Sequence, residues 1–121
     1  MAKTILVVDD SNAVRQSVAL ILEQAGYKVV QAVDGLDGVA KAEVQDFDLI
    51  ITDVNMPNLD GIGLVKKVRE NPDNKVLPII VLTTEAQKTK MDEGKLAGAT
   101  GWIVKPFDSD KLLGVVKKVI A

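Results

Sequence analysis

Apolar residues in this chain are grouped in two ways that alternate along its length. Five runs are short, nearly unbroken and rich in β-branched residues: Thr4 to Val8, Lys28 to Ala32, Leu49 to Thr52, Ile79 to Thr83 and Trp102 to Val104. Continuous apolarity of that length fits strands covered on both faces, as in a parallel sheet. Between these runs the spacing becomes helical. After Ser11, a good N-cap, Val14, Val18, Ile21, Leu22 and Ala25 recur on one helix face, and Gly26 suits the position just past the helix end. Leu112, Val115, Val116 and Val119 form the stripe of a last helix, with Asp108 as its cap and Phe107 and Leu112 placed to staple its entry. Leu36 to Val44 and Leu64 to Arg69 carry shorter versions of the same pattern. Strict β-then-α alternation five times over predicts an α/β fold with a doubly wound five-stranded parallel sheet and five helices, because right-handed crossovers carry helices to both faces. The alternation runs through residues 1–121, with no internal repeat, linker or low-complexity tract, and predicts one domain without an attached output domain.

One helical segment departs from the pattern. Gln87 to Ala97 offers only Met91, Leu96 and Ala97 as apolar contacts and contains Gly94, which costs ~1 kcal/mol relative to alanine inside a helix. Its hold on a sheet is weak. Composition alone makes it a solvated surface helix; the sharper reading is a movable binding face.

Charge and residue usage narrow the chemistry. Fifteen basic and 17 acidic residues are interspersed, for a formal net charge of −2. That provides no broad positive field for nucleic acid or anionic lipid. Cysteine and histidine are both absent, which removes disulfides, thiolate zinc sites and the commonest metal ligand and general base. Any reaction must run on carboxylates, hydroxyls and lysine. The first residues do not resemble a signal peptide, and no apolar run approaches the ~18 residues of a membrane span, so a cytoplasmic, membrane-free protein is expected.

In open α/β sheets ligands sit beyond the carboxyl ends of the strands, where the winding reverses. The first apolar run ends in Asp9-Asp10, the third in Asp53, the fourth in Thr83-Thr84 and the fifth in Lys105. If the first and third strands are neighbours, three carboxylates converge beside a hydroxyl and an ammonium. Two like charges about 4 Å apart cost roughly 4 kcal/mol at an effective dielectric of ~20, so such a cluster calls for a cation. Hard oxygen ligands favour Mg²⁺, which keeps several waters while binding a couple of carboxylates and a phosphate. A cation beside Asp53 suits its carboxylate as a nucleophile. Lys105 and Thr83 are then placed to meet two oxygens of a transferred phosphoryl group. Singly, each of these residues is an ordinary turn former, helix cap or surface charge; their joint placement on successive strand ends carries the reading.

With these residues in hand, the segments ILVVDDS, DLIITDVNMPNLDG, PIIVLTT and GATGWIVKPF together resemble response-regulator receiver domains, and among them the single-domain chemotaxis regulators of the CheY type. The likeness runs from Lys3 to Ile120. It implies the strand order 2-1-3-4-5, phosphorylation of Asp53 by a histidine kinase, and Mg²⁺ bound by Asp10, Asp53 and the Asn55 main-chain carbonyl, with Asp9 acting mostly through water. It further implies that Thr83 and Lys105 sense the phosphoryl group, that the Lys105-Pro106 bond is cis, and that Asn55 and Glu85 influence attack of water on the acyl phosphate. The switch and partner surface would comprise Trp102, Glu85 and Met91. Trp102 stands where the family commonly has Tyr or Phe, a bulkier ring that must swing inward. The implied partners of this monomer are a chemotaxis kinase, a flagellar motor switch protein and a phosphatase. Rival readings are a receiver serving another pathway, such as a phosphorelay shuttle, a flavin-binding flavodoxin-like protein, and a phosphatase of the haloacid dehalogenase type. Asp9-Asp10 would repel a flavin phosphate, and the Asp-x-Asp that such a phosphatase carries after its first strand is lacking.

Overall fold

Each apolar run becomes a strand, and alternate side chains of that strand enter two different cores. The computed structural model describes residues 2–84 and 88–120, with the backbone alone for 88–91 and 94. Its elements follow in the order β1 (Thr4–Val8), α1 (Asn12–Gln24), β2 (Lys28–Ala32), α2 (Gly35–Val44), β3 (Leu49–Asp53), α3 (Gly61–Glu70), the 3₁₀ turn Pro72–Asn74, β4 (Ile79–Thr84), α4 (Lys88–Ala97), β5 (Gly101–Lys105) and α5 (Ser109–Ile120). All strands are parallel and run side by side as β2-β1-β3-β4-β5. This is the expected doubly wound sheet in the order that the family likeness implied. Among the described residues no helix is long and apolar enough to cross a membrane.

Ile5, Val7, Leu49, Ile51, Ile80, Leu82 and Ile103 point to one face and pack with Val18 and Leu22 of α1 and Leu112 and Val116 of α5. Leu6, Val8, Ile50, Ile79 and Val81 point to the other and pack with Leu64, Val65 and Val68 of α3, joined by Ala97, Ala99 and Trp102. A strand covered on both faces can alternate without any polar position, which is why β1, β3 and β4 read as unbroken apolar runs.

The helix starts are set by side-chain caps, as the residue types foretold. Ser11 Oγ accepts from Val14 N at 3.3 Å, and Asp108 Oδ1 accepts from Lys111 N at 2.8 Å. Several boundaries differ from the sequence expectation, among them β4, which runs on to Thr84, and β5, which spans Gly101–Lys105. α3 begins at Gly61 rather than Leu64, because Asp60 caps it by accepting from Gly63 N at 2.7 Å and the two glycines of its first turn supply no apolar signal. β3 runs one residue further, to Asp53, whose place in the ladder is opposite Leu82 of β4. α4 begins at Lys88 within the described residues and exposes Leu96 almost fully, in keeping with its sparse apolar pattern.

Candidate functional site

The carboxyl edge of the sheet gathers the groups that the strand ends supply. Asp9 follows β1 directly, and its N–H extends the ladder by donating to Ala32 O at 3.2 Å. Asp53 closes β3, Thr83 is the second-last residue of β4, and Lys105 ends β5 opposite Thr84. One ligand atom from each of Asp9, Asp10 and Asp53 lies within 4.8 Å of the others. Asp9 is buried and Asp53 half-buried, while Asp10 is open to solvent.

Hydrogen bonds hold this cluster from its rim. Lys105 Nζ donates to Asp53 Oδ1 at 2.9 Å, and the Val54 N–H donates to the same oxygen at 3.0 Å. Asp9 Oδ1 accepts from Ser11 N at 2.9 Å, but Asp9 Oδ2 is buried with no partner among the described residues. A carboxylate oxygen taken out of water without a donor is costly, and the three clustered carboxylates to which it belongs match what a hard divalent cation requires. The residues therefore fit a Mg²⁺ site. Burial raises the Asp9 carboxyl above its ordinary value of 3.8; the Ser11 N–H and Lys105 oppose the rise, and the Asp53 and Asp10 charges add to it.

The loop from Asp53 to α3 forms one wall. Gly61 is needed there, since a Cβ would collide with the main-chain oxygen of Asp53; its absence lets α3 start against the end of β3, where Gly61 N donates to Val54 O at 2.9 Å. Asn58, in the left-handed region at φ 70°, sends its side-chain amide to Asp34 Oδ2 at 2.8 Å, tying this loop to the start of α2. Asn55 is exposed two residues beyond Asp53.

Of the other residues that the sequence singled out, Thr83 is buried at the edge, with its hydroxyl 3.4 Å from Thr84 O. The Lys105-Pro106 bond is cis. Trp102 is half-buried against the α3 side of the core, and Lys95 Nζ sits over its ring at 4.9 Å from the centroid. Glu85 lies outside the described residues, and of Met91 only its place in α4 belongs to them.

Sequence reasoning missed Arg15. Its guanidinium is buried and donates through Nη1 to Asp9 O at 2.9 Å, through Nε to Gln31 Oε1 at 3.0 Å and through Nη2 to Asn12 Oδ1 at 2.5 Å. A signal was present: the buried face of α1 is Arg15, Val18, Ala19 and Leu22, so an arginine occupies the first place of an apolar stripe.

Comparison with known proteins bears on this arrangement. Residues 5–117 match the family model described as response regulator receiver domain. The chain is 38% identical over 116 residues to the chemotaxis protein CheY-3 of Vibrio cholerae, covering 95% of this chain and 89% of that protein. Among solved structures, the chemotaxis response regulator CheY4 of Vibrio cholerae superposes with a TM-score of 0.93 at 47% identity, covering 98% of this chain and 99% of that one. The receiver domain of the sensor histidine kinase PA1611 of Pseudomonas aeruginosa, with a magnesium ion coordinated in its active-site cleft, superposes with a TM-score of 0.92 at 29% identity, covering 99% and 98%.

Proposed function

This chain belongs to the response regulator receiver domain family, and from that premise we propose that it is a phosphorylation-controlled switch in two-component signalling. Asp53 is the phosphoacceptor and a histidine kinase the donor. An Asp53 carboxylate oxygen attacks the phosphorus of the donor's phosphohistidine and forms the acyl-phosphate O–P bond. The P–N bond breaks with its electron pair going to the imidazole, which takes up a proton. The observation that carries this reading is the meeting of Asp9, Asp10 and Asp53 ligand atoms within 4.8 Å, with Lys105 on Asp53 Oδ1.

Asp9, Asp10, Asp53 and the Asn55 main-chain carbonyl are the groups that would hold Mg²⁺. When bound, the ion neutralises charge on the phosphoryl oxygens and holds the group in line, the larger part of catalysis in such transfers. The chain's own residues do the rest. The Val54 N–H and Lys105 fix the acceptor carboxylate, and Lys105 follows the negative charge onto the phosphoryl group. The Thr83 hydroxyl at the neighbouring strand end donates to a second phosphoryl oxygen.

That recruitment biases the surface made by α4, β5 with Trp102, and α5, together with Glu85 and Met91. Resemblance to chemotaxis regulators favours a flagellar motor switch protein as the partner that reads this surface, a chemotaxis kinase as donor and a phosphatase that resets it. A second reading, a receiver acting as a phosphorelay shuttle, draws on the similarity to a receiver domain of a sensor histidine kinase.

Trp102 is the only tryptophan and serves as the reporter. With Mg²⁺ and a small phosphodonor, its emission is expected to change in the wild type and to stay constant in Asp53→Ala. Equal responses of the two proteins would end the reading.

A further inference from the structure

We infer that Arg15 is a positioning residue for the acidic cluster, fixing through its guanidinium fork the main chain from which Asp9 and Asp10 project. The inference rests on the reading of Asp9, Asp10 and Asp53 as a Mg²⁺ site.

The starting observation is a charge in an expensive place. Arg15 is only 7% exposed, and the acceptors of its three hydrogen bonds are all neutral: a main-chain carbonyl and two side-chain amides. A buried cation is normally paired with a carboxylate. Arg15 also lies in the first turns of α1, beside the positive end of the helix dipole, where a cation is disfavoured. An apolar residue would continue the stripe of Val18, Ala19 and Leu22 without either cost.

What the guanidinium supplies is a rigid clamp on three segments. Nη1 holds Asp9 O at the end of β1, Nη2 holds Asn12 at the start of α1, and Nε holds Gln31 near the end of β2. Beyond the ladder bond from its N–H to Ala32 O, Asp9 is gripped at its main-chain oxygen by Arg15 and at its carboxylate Oδ1 by the Ser11 N–H. Asp10, the next residue, inherits the same backbone anchor. Because Arg15 bonds to the carbonyl and not to a carboxylate, it leaves the acidic oxygens to the cation. Lys105, by contrast, occupies Asp53 Oδ1. A planar fork with several fixed donors can span three acceptors at once; an ammonium on a flexible stem cannot.

Charge and geometry make opposite predictions, and this makes the inference testable. If Arg15 acted through its charge, removing it would make the site more negative and tighten Mg²⁺ binding, and lysine would substitute for it. If it acts by holding the turn, lysine fails almost as glutamine does. Calorimetric titration with MgCl₂ of the wild type, Arg15→Lys, Arg15→Gln, Asn12→Ala and Gln31→Ala decides between them, with melting temperature and far-ultraviolet circular dichroism recorded in EDTA. Arg15→Lys and Arg15→Gln are both expected to bind about tenfold more weakly, at the low end of the loss typical of groups that orient metal ligands. Asn12→Ala and Gln31→Ala, which leave Arg15 in place but loosen it, fall between these and the wild type. Val116→Ala, a core truncation in α5, lowers the melting temperature but leaves Mg²⁺ affinity unchanged, which separates positioning from general stability. Wild-type affinity in Arg15→Lys, or tighter binding in Arg15→Gln, would overturn the inference. If either Arg15 variant fails to fold, unchanged affinity in both Asn12→Ala and Gln31→Ala overturns it instead. Absence of Mg²⁺ binding by the wild type overturns the metal reading itself and this inference with it.

Discussion

Asp9 shows how one side chain can lower the stability of the fold that carries it. It is buried, lies close to two other carboxylates, and has one oxygen without a donor among the described residues. Burial above all raises its carboxyl above 3.8, and Asp53 and Asp10 push it the same way. A raised value in the folded state means that folding favours the protonated form. Its contribution to stability is therefore fully present below pH 3.8 and is lost as pH rises through the raised value. In EDTA, Asp9→Asn removes that loss and should be more stable than the wild type near neutral pH, by on the order of 1 kcal/mol. The gap should close as melts are repeated toward pH 3.8 and below; a constant gap would show that the buried Asp9 charge is not its source. This acid was legible in the sequence, as were Asp10, Asp53, Thr83 and Lys105, because chemistry-bearing residues ending apolar runs have few positions to go to in an α/β sheet. Arg15 was not, since an arginine next to an apolar stripe reads as a surface residue until a buried carbonyl is found beside it.

At the level of elements, the described residues tie the end of α4 to its neighbours through two side chains, Arg69 and Lys95. Arg69 of α3 donates to Gly98 O, just beyond α4, through Nε at 3.2 Å and Nη2 at 2.9 Å. Its Nη1 also reaches Asn74 O at 2.6 Å and Leu77 O at 2.5 Å. Lys95 on α4 covers the Trp102 ring, a contact worth ~0.5–1 kcal/mol at an exposed site. Arg69→Ala removes the guanidinium donor from the Gly98, Asn74 and Leu77 carbonyl oxygens and should cost about 2–3 kcal/mol. Hydrogen exchange should then accelerate first in α4 and β5; uniform acceleration over all five strands would show that Arg69 supports the whole fold and not this corner. The weak apolar pattern of residues 87–97 agrees with the exposure of Leu96, whereas the tether from Arg69 lies in a contact between distant segments that no local pattern encodes. The same holds for the strand order. Apolar periodicity specifies five parallel strands, but it carries nothing about which of them are neighbours, and the order followed only from likeness to a family. α1 and α5, by comparison, were legible from cap to last turn, because each repeats one apolar stripe beneath a capping side chain.

For the whole molecule, the doubly wound topology is what turns residues distant in sequence into one site. Asp9 and Asp10 are joined to Asp53 only through the pairing of β1 with β3, so an unfolded chain presents no comparable cluster and Mg²⁺ should bind the folded state almost exclusively. A ligand of that kind stabilises by RT ln(1 + [L]/Kd), about 2.7 kcal/mol at a hundredfold excess over Kd. For a chain of 121 residues that corresponds to a rise in melting temperature on the order of 10 °C. Asp53→Ala removes a ligand contributed by β3 and should lose most of the rise, although it also relieves repulsion and starts from a higher melting temperature in EDTA. The two effects together, a more stable metal-free variant with a flatter response to MgCl₂, distinguish a shared site from a nonspecific salt effect, which would shift both proteins equally. Denaturation scans at constant ionic strength, with NaCl replacing MgCl₂ in the control, measure the difference directly. A rise in Asp53→Ala as large as in the wild type would mean that the pairing of β1 with β3 does not build the cation site.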